Sequence, residues 1–191
     1  MRVLVACEFS GVVREAFAKK GHDAMSCDLL PTDIPGNHYQ GDVFDIINDG
    51  WDLMIGHPPC THLAVSGAAW FKQKIADGRQ QQGIDFFMKL SYANIPKICI
   101  ENPVSIMSTK WRKPDQIVQP YMFGHKETKA TCLWLKGLPK LISTSDLKNE
   151  TLALPENERM RLHYLPPSID KGKLRSITFQ GIADAVADQW G

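Results

Sequence analysis

The sequence lacks several features that would place it at once in a broad class of proteins. No apolar run approaches the ~20 residues that span a bilayer, and the first residues, MRVLVACEF, turn acidic too early for a signal peptide. Net charge is also small, because 22 Lys and Arg nearly balance 21 Asp and Glu. This balance does not favour a polyanion-coating or membrane-surface protein. We therefore expect a cytoplasmic protein with no membrane contact, in which any nucleic-acid contact is local.

Cysteine is sparse and shows no metal-binding pattern. No C-x-x-C or other metal-ligand spacing joins the five cysteines, which are Cys7, Cys27, Cys60, Cys99 and Cys132. Reduced thiols are the simplest interpretation, and we expect no metal site. Four of them are expected to be small core residues. Cys60 differs, because two prolines stiffen the chain before it and no apolar neighbours surround it.

Apolar runs alternate with helical patterns in the first hundred residues. RVLVACEF, WDLMIGH and KICIENP resemble strands buried on both faces, and HDAMSCDLL and GDVFDI contain shorter strands. Between them, GVVREAFAKKG and GRQQQGIDFFMKLSYANIP have helical spacing; the apolar face of the second comprises Ile84, Phe87, Met88 and Tyr92. This alternation predicts an α/β fold with a mostly parallel, doubly wound sheet and helices on both faces.

The rest of the chain completes one expected domain over residues 1–191, since 43% hydrophobic residues suffice for a single core. In 104–150, aromatics stand among basic residues, and QPYMF and ATCLWL read as strands. We expect a basic, aromatic hairpin insertion there, with 110–148 as the basic surface; the alternative is a solvated hairpin with core tryptophans. SITFQGIADAVADQWG predicts a terminal helix whose inward residues are Ile182, Ala185 and Val186.

Polar residues follow the predicted strands and should meet at one edge, because ligands of open α/β sheets bind at the carboxyl ends of the strands. The turn Glu8-Phe9-Ser10-Gly11 has one glycine, not the G-x-G-x-x-G of a dinucleotide site. Asp28 is placed to accept hydrogen bonds from ribose hydroxyls, and Asp42 could reach an adenine amino group. The pattern predicts an adenosine ligand, most commonly S-adenosylmethionine. The alternative for each acid is a cap on the next helix.

Cys60 and Glu101 follow neighbouring predicted strands, and together they suit pyrimidine chemistry. A pyrimidine reacts at carbon-5 only after a nucleophile adds at carbon-6, and an acid at ring nitrogen 3 assists that addition. Asn102 could fix the loop and the carboxyl, and Lys129 or Lys126 could neutralise negative charge. A Cys-His hydrolase pair with His57 or His62 is the alternative, but no oxyanion-hole glycine run accompanies it.

The ordered set of motifs resembles the DNA cytosine-5 methyltransferases, particularly their short, phage-type members. It comprises Glu8-Phe9-Ser10-Gly11, Asp28, Gly41-Asp42, Pro58-Pro59-Cys60 and Glu101-Asn102-Pro103, and FQGIADAVADQWG is similar to the closing helix of the family. The resemblance implies a Rossmann-like fold, S-adenosylmethionine as cofactor and DNA as partner. It implies catalytic roles for Cys60, Glu101, Asn102 and Lys129, and cofactor binding by Glu8, Phe9, Ser10, Gly11, Asp28, Asp42 and Pro58.

The chain also departs from the family pattern. His57 extends the usual Gly-Pro-Pro-Cys, Thr61 replaces a frequent Gln, and Pro103 stands where Val is usual. The Gln-x-Arg-x-Arg motif is not recognisable; HKETKATCLWL occupies its place, with Lys126, Thr128 and Lys129 as candidate replacements. The 191 residues leave no room for a large target-recognition domain, so 110–148 is expected to bind duplex or single-stranded DNA through charge and stacking, and a protein partner for specificity stays open.

Several functions remain open at this point. The first is carbon-5 methylation of cytosine in DNA through a covalent Cys60 adduct. The second is the same chemistry on a pyrimidine mononucleotide or RNA, and the third is an inactive relative that binds nucleic acid or cofactor. An amino-group methyltransferase of the Asp-Pro-Pro-Tyr type fits less well, because His57-Pro58-Pro59-Cys60 lacks that motif's acid and its stacking aromatic.

Overall fold

A seven-stranded sheet in the order β3-β2-β1-β4-β5-β7-β6 forms the centre of the protein, seen in a computed structural model that describes residues 1–168 and 170–191. The strands are β1 Arg2–Ala6, β2 Asp23–Asp28, β3 His38–Gln40, β4 Leu53–Gly56, β5 Lys97–Pro103, β6 Gln116–Val118 and β7 Thr131–Lys136. The helices are α1 Val12–Lys19, α2 Phe71–Ala76, α3 Arg79–Ser91, α4 Met107–Lys110, α5 Lys148–Ala153, α6 Glu156–Arg159, α7 Lys171–Ser176 and α8 Gln180–Trp190.

Six of the seven strands run in the same direction; five of them, β1 to β5, pair with one another in parallel, and their order reverses at β1. From β1 the chain crosses to β2 and β3 on one side, then returns to place β4 and β5 on the other. β7 alone runs against the rest, between β5 and β6. The predicted mostly parallel α/β sheet is confirmed, and the reversal places a ligand crevice beyond the carboxyl ends of β1 and β4.

Helices cover both faces of the sheet, as predicted. One apolar cluster joins α1 and α8 to the sheet and contains Phe17 and Trp190, both essentially inaccessible to solvent. The other places α3 against the opposite face around Phe87 and Leu90. The terminal helix buries Ile182, Ala185 and Val186 as predicted. No helix in the described part of the chain is long and apolar enough to cross a bilayer.

Three local predictions were wrong. In GDVFDI, residues Val43–Asp45 form a 3-10 turn, and the short strand lies earlier at His38–Gln40. In QPYMF, Pro120–Met122 form a 3-10 turn, since proline has no N–H to offer a ladder; β6 ends just before it. Tyr92 is 68% exposed rather than part of the buried face of α3.

The segment 104–150 supplies two strands to the edge of the central sheet rather than standing apart as an inserted hairpin. β6 pairs with β7, and β7 pairs along β5 over six residues. Trp134 of β7 is 1% exposed and packs edge-on against the ring of Phe87, with 5.2 Å between the two ring centres. Because β7 is reversed, Lys129 before its start lies at the carboxyl edge of the parallel strands, whereas Lys136 at its end pairs with Ile98 near the opposite edge. The basic stretch 110–148 is thus divided between two edges.

Candidate active site at the carboxyl edge of the sheet

The register brings the ends of four parallel strands side by side. Ala6 of β1 lies opposite Cys27 of β2 and Gly56 of β4, and Gly56 lies opposite Ile100 of β5. The residues that follow these four positions are therefore neighbours along one edge: Cys7, Asp28, His57 and Glu101. Acidic, thiol and imidazole groups from four separate segments meet there.

The turn after β1 is shaped by two left-handed residues. Cys7 has φ 60°, the only positive φ of a non-glycine residue in the described chain, and Gly11 has φ 77° at the start of α1. A Cβ at Gly11 would lie 2.7 Å from the guanidinium of Arg14, so the position requires glycine on two counts. The turn consequently presents Phe9 and Ser10 between a strand end and a helix start.

Glu8 is 5% exposed, and its carboxylate is hydrogen-bonded to the start of that helix. Its oxygens accept hydrogen bonds from the backbone N–H of Val13 at 2.7 Å, from that of Arg14 at 3.2 Å, and from the Ser10 hydroxyl at 3.1 Å. An acid at this place satisfies N–H groups that the first helical turn leaves unpaired and complements the helix dipole. Glu8 thus stabilises the turn. Because its carboxylate and the Ser10 hydroxyl are already hydrogen-bonded, Phe9 and the turn backbone are the groups left to contact a ligand.

Asp28 and Asp42 keep part of their acceptor capacity. One oxygen of Asp28 accepts from the Leu30 N–H at 2.9 Å, and one oxygen of Asp42 accepts from the Phe44 N–H at 3.0 Å. The segments are tied together where the Gly41 N–H donates to the Asp28 carbonyl at 3.0 Å. Each acid therefore has a local structural bond as well as a second oxygen without a protein partner in the described structure.

Two features near this turn were not recognised from the sequence. Arg14 is 1% exposed, and its guanidinium donates to the Ser26 hydroxyl at 3.0 Å and to the Ile34 carbonyl at 2.6 Å, which ties down the loop after β2. Lys173 of α7 forms an ion pair with Asp33 at 2.7 Å and lies 5.0 Å from the ring centre of Phe9. Both contacts join segments that are distant in sequence, so no local pattern indicates them.

The loop that carries Cys60 is held on both sides. The Asn102 amide donates to the carbonyl of Pro58 at 2.9 Å, in a buried position. Beyond the thiol, the Cys60 carbonyl accepts from the N–H groups of Leu63 and Ala64, both at 2.9 Å. Lys74 of α2 donates to the carbonyl of Thr61 at 2.6 Å. The prolines, the amide and the turn therefore fix the backbone on which the thiol stands.

Glu101 is paired with His57, a contact that the sequence did not predict. The His57 Nδ1 lies 3.1 Å from Glu101 Oε2. Burial lowers the pKa of His57, but the hydrogen bond and the charge of Glu101 outweigh it, so the net shift is upward. Burial raises the pKa of Glu101, and the bond from His57 outweighs that, so the net shift is downward. Both shifts favour an imidazolium–carboxylate pair.

The two lysines proposed to neutralise the carboxyl are engaged elsewhere. Lys126 pairs with Glu150 at 2.7 Å, and the Lys129 ammonium donates to the Arg175 carbonyl at 2.7 Å. Lys129 still acts at longer range, since its charge lowers the pKa values of Glu101 and Cys60. The net pKa shift of Cys60 is nevertheless upward, first from burial and then from the charge of Glu101. The thiol therefore needs help to ionise.

Buried polar atoms without partners mark the centre of the site. In the described structure, Nε2 of His57 and Oδ1 of Asn102 are buried and accept or donate no hydrogen bond, which is costly unless a ligand or solvent pairs them. A cavity of about 30 Å³ adjoins His57, and its lining also includes Glu101, Lys129 and Phe179. No group of three metal-ligating side chains occurs in residues 1–168 and 170–191.

Comparisons with known proteins agree with this architecture. No protein-family model matches the chain, and no curated protein does. Among solved structures, the chain is similar to an E. coli protein assigned as a DNA modification methyltransferase encoded within a prophage, with 21% identity, a TM-score of 0.51, and 82% of this chain and 56% of that one covered. It is also similar to a methyltransferase of Entamoeba histolytica, with 12% identity, a TM-score of 0.50, and coverages of 88% and 61%.

These likenesses concern the fold. With the reversed β7 between β5 and β6, the chain has a Rossmann-like methyltransferase fold. The chain spans somewhat more than half the length of both structures, 56% and 61%. Activity and substrate must therefore be argued from the site itself.

Proposed function

We propose that this chain transfers a methyl group from S-adenosylmethionine to carbon-5 of cytosine in DNA, with Cys60 as the nucleophile. One observation carries the proposal: Asn102 donates to the Pro58 carbonyl of the Cys60 loop at 2.9 Å. Glu101, the preceding residue of the same strand, adds to burial in raising the pKa of the Cys60 thiol. A strand that places an acid and fixes a cysteine loop with consecutive residues suits addition to a pyrimidine ring. The likeness in fold to methyltransferases supports methyl transfer as the reaction class.

The proposed reaction passes through a covalent bond between Cys60 and the cytosine ring. The Cys60 thiol loses its proton to solvent, and the sulfur forms a bond to carbon-6 while the Glu101 carboxyl delivers a proton to ring nitrogen 3. Electron density then accumulates at carbon-5, which takes the methyl group. The carbon-5 proton leaves to water, the bond between sulfur and carbon-6 breaks, and nitrogen 3 returns its proton to Glu101. In duplex DNA the cytosine must first leave the base stack.

The residues at β1, β2 and β3 fit an adenosine cofactor. Asp28 and Asp42 each retain a free carboxylate oxygen for a ribose hydroxyl or an adenine amino group, and we propose that Phe9, in the turn after β1, contacts the same ligand. Ser10, Gly11 and Pro58 shape the backbone, and Glu8 supports it. When bound, S-adenosylmethionine supplies an electrophilic methyl group and leaves as a neutral thioether.

A second candidate keeps the chemistry and changes the substrate to a pyrimidine mononucleotide. The division of the basic stretch favours it, because Lys136 and Lys129 lie toward opposite edges of the sheet and cannot follow one nucleic-acid strand together. If the substrate is DNA instead, only the basic groups at the carboxyl edge, such as Lys129 and Arg175, would contact it. Few phosphates would then be neutralised, so DNA affinity should depend only weakly on salt concentration, because each released counterion steepens that dependence.

The first experiment measures transfer of labelled methyl from S-adenosylmethionine to duplex DNA, single-stranded DNA, RNA and dCMP, with the product nucleoside identified by mass. The proposal expects 5-methylcytosine in DNA from the wild type and none from Cys60→Ala. Product from dCMP alone moves the second candidate to the front. Cofactor binding without any product contradicts both and leaves a binding protein that retains the fold.

A covalent trap tests the nucleophile directly. In an oligonucleotide with 5-fluorocytosine, the carbon-5 substituent cannot leave as a proton after methyl transfer, so the thiol adduct persists. We expect a stable complex whose cross-linked peptide contains Cys60. Cys132→Ala is the matched control, because Cys132 is another free thiol whose pKa is raised by burial and then by the charge of Glu101, and this variant should still form the complex. A cross-link to any other residue contradicts the assignment.

A further inference from the structure

We propose that His57 is the positioning residue of this site: it orients the Glu101 carboxyl and holds the proton that Glu101 passes to ring nitrogen 3 of the pyrimidine. This inference rests on the proposed function and extends it. The sequence offers Lys126, Thr128 and Lys129 as replacements for the missing Gln-x-Arg-x-Arg motif, and of these Lys126 or Lys129 as the cation beside the acid. The structure instead places an imidazole there, from the residue three positions before the nucleophile.

The pair is built from adjacent strands. Gly56 of β4 lies opposite Ile100 of β5, so the next residues of both strands, His57 and Glu101, emerge side by side at the carboxyl edge. The His57 N–H donates to the carbonyl of Ala6 at 2.9 Å, which fixes its backbone from the other side. The hydrogen bond of 3.1 Å therefore joins two rigid elements, and the carboxyl is oriented without a flexible long side chain.

The charged groups around the imidazole favour a proton on the pair. Glu101 from β5 and Glu8 from the turn after β1 both raise the pKa of His57, while burial, and to a lesser extent Lys129 before β7, lower it. From α7, Arg175 acts on the neighbouring thiol of Cys60, whose pKa it lowers slightly. Acids on two elements thus outweigh both burial and the cation on a third, and the imidazolium form is favoured.

The His57 imidazole can exchange its proton only with Glu101. His57 Nε2 has no partner in the described structure, so Glu101 alone binds the imidazole. When sulfur adds to carbon-6, the bond from Nδ1 to its proton breaks, the carboxyl relays that proton, and a bond from nitrogen 3 to hydrogen forms. The pair becomes neutral imidazole plus carboxylate. Expulsion of Cys60 reverses the transfer and restores the imidazolium.

This arrangement also accounts for a conflict in the site. A carboxyl that protonates nitrogen 3 must carry a proton, yet the pKa of Glu101 is held below its ordinary value. An acid that is ionised at neutral pH cannot store that proton alone. His57 resolves the conflict because its own pKa is raised. The pair therefore holds the proton on Nδ1 of His57 rather than on the Glu101 carboxyl.

The test compares His57→Asn with His57→Ala, and uses His62→Asn as the control. Asparagine can keep a hydrogen bond to Glu101 but cannot titrate, and alanine loses both functions. His62 also flanks Cys60, but in the described structure it makes no hydrogen bond with Glu101. The measurement is kcat/KM for methyl transfer across pH 5 to 10, with cofactor affinity and thermal unfolding measured in parallel.

For the wild type we expect kcat/KM to fall at high pH, because His57 loses its stored proton as pH rises and ionisation of the Cys60 thiol offsets that loss only until the thiol is fully ionised. His57→Asn should abolish that fall and lower kcat/KM by about 10²- to 10⁴-fold, the usual contribution of general acid catalysis. Cofactor affinity should be unchanged, and His62→Asn should match the wild type. A His57→Asn enzyme with the wild-type rate and the same high-pH fall overturns the inference.

A second measurement separates this inference from the proposed function. Titration of the His57 ring by NMR in the wild type and in Glu101→Gln needs no turnover, and the imidazole pKa should drop when the acid is removed. A wild type that transfers no methyl group to any substrate overturns the proposed function and the relay together. An active wild type whose His57 pKa is unaffected by Glu101→Gln overturns the relay alone.

Discussion

Neutralising two acids at adjacent strand ends should affect different properties of the protein: stability for Glu8 and cofactor affinity for Asp28. Glu8 spends its carboxylate on the start of α1 and on Ser10, whereas Asp28 makes one bond to Leu30 and keeps an oxygen free. We expect Glu8→Gln to lower stability strongly with little change in cofactor affinity. Asp28→Asn should weaken S-adenosylmethionine binding with little change in stability.

The size of each effect follows from the bonds. Glu8→Gln removes the charge and at least one acceptor from a site that is 5% exposed. A buried hydrogen bond to a charged group contributes about 1.5–3 kcal/mol, and the helix dipole adds to it. A loss of about 2–3 kcal/mol corresponds to a Tm lower by about 4–12 °C in a chain of this size. For Asp28→Asn, loss of one charge-assisted bond to a ribose hydroxyl should weaken binding by about 10- to 100-fold.

Scanning calorimetry and equilibrium titration with S-adenosylmethionine measure the two quantities on the same samples. The matched pair controls for a general loss of negative charge, because each variant removes one acid from the same edge of the sheet. The reasoning is refuted if Glu8→Gln keeps its Tm and loses the cofactor. In that case Glu8 would be a ligand, and its bonds to the helix start would contribute nothing measurable.

Three further substitutions test the framework around the site. Asn102→Ala leaves the buried Pro58 carbonyl unpaired, so we expect about 1–3 kcal/mol lower stability and a larger loss in kcat than in cofactor affinity; an unchanged kcat would show that the loop needs no anchor. Gly181→Ala places a Cβ 2.0 Å from the Phe123 carbonyl oxygen and should lower the Tm by several degrees or displace the start of α8, as calorimetry and circular dichroism would show. Arg14→Lys loses most of the donors that tie down the loop after β2; hydrogen exchange should quicken in that loop, and unchanged protection would contradict its anchoring role.

The sequence predicted the sheet because buried parallel strands carry a local pattern of continuous apolar residues. β1, β4 and β5 were recognisable in this way, and with them the residues at their ends. Short strands carry too few residues for such a pattern, so β3 and β6 were misplaced. Each lies beside a 3-10 turn whose composition resembles that of a strand.

The contacts within the site were less predictable, because they join residues that are far apart in the chain. The bond between His57 and Glu101 spans 44 positions, and the ion pair between Asp33 and Lys173 spans 140. Only the register of β4 against β5 indicates the first, and register is a property of the folded sheet. His57 did stand out as a departure from the family motif, and that departure was the one local indication of the pair.

Because β7 runs in the reverse direction, its two ends lie at opposite edges of the sheet, one beside the candidate site and one far from it. The segment that leads into β7 begins beside the site, whereas the turn that follows at 137–140 lies at the far edge, where Gly137 packs against the carbonyl of Pro96. Lys140 in that turn is exposed. A dye, a surface tether or a fused domain attached there would lie away from the carboxyl edge, so the protein can be immobilised or extended without obstructing the candidate site.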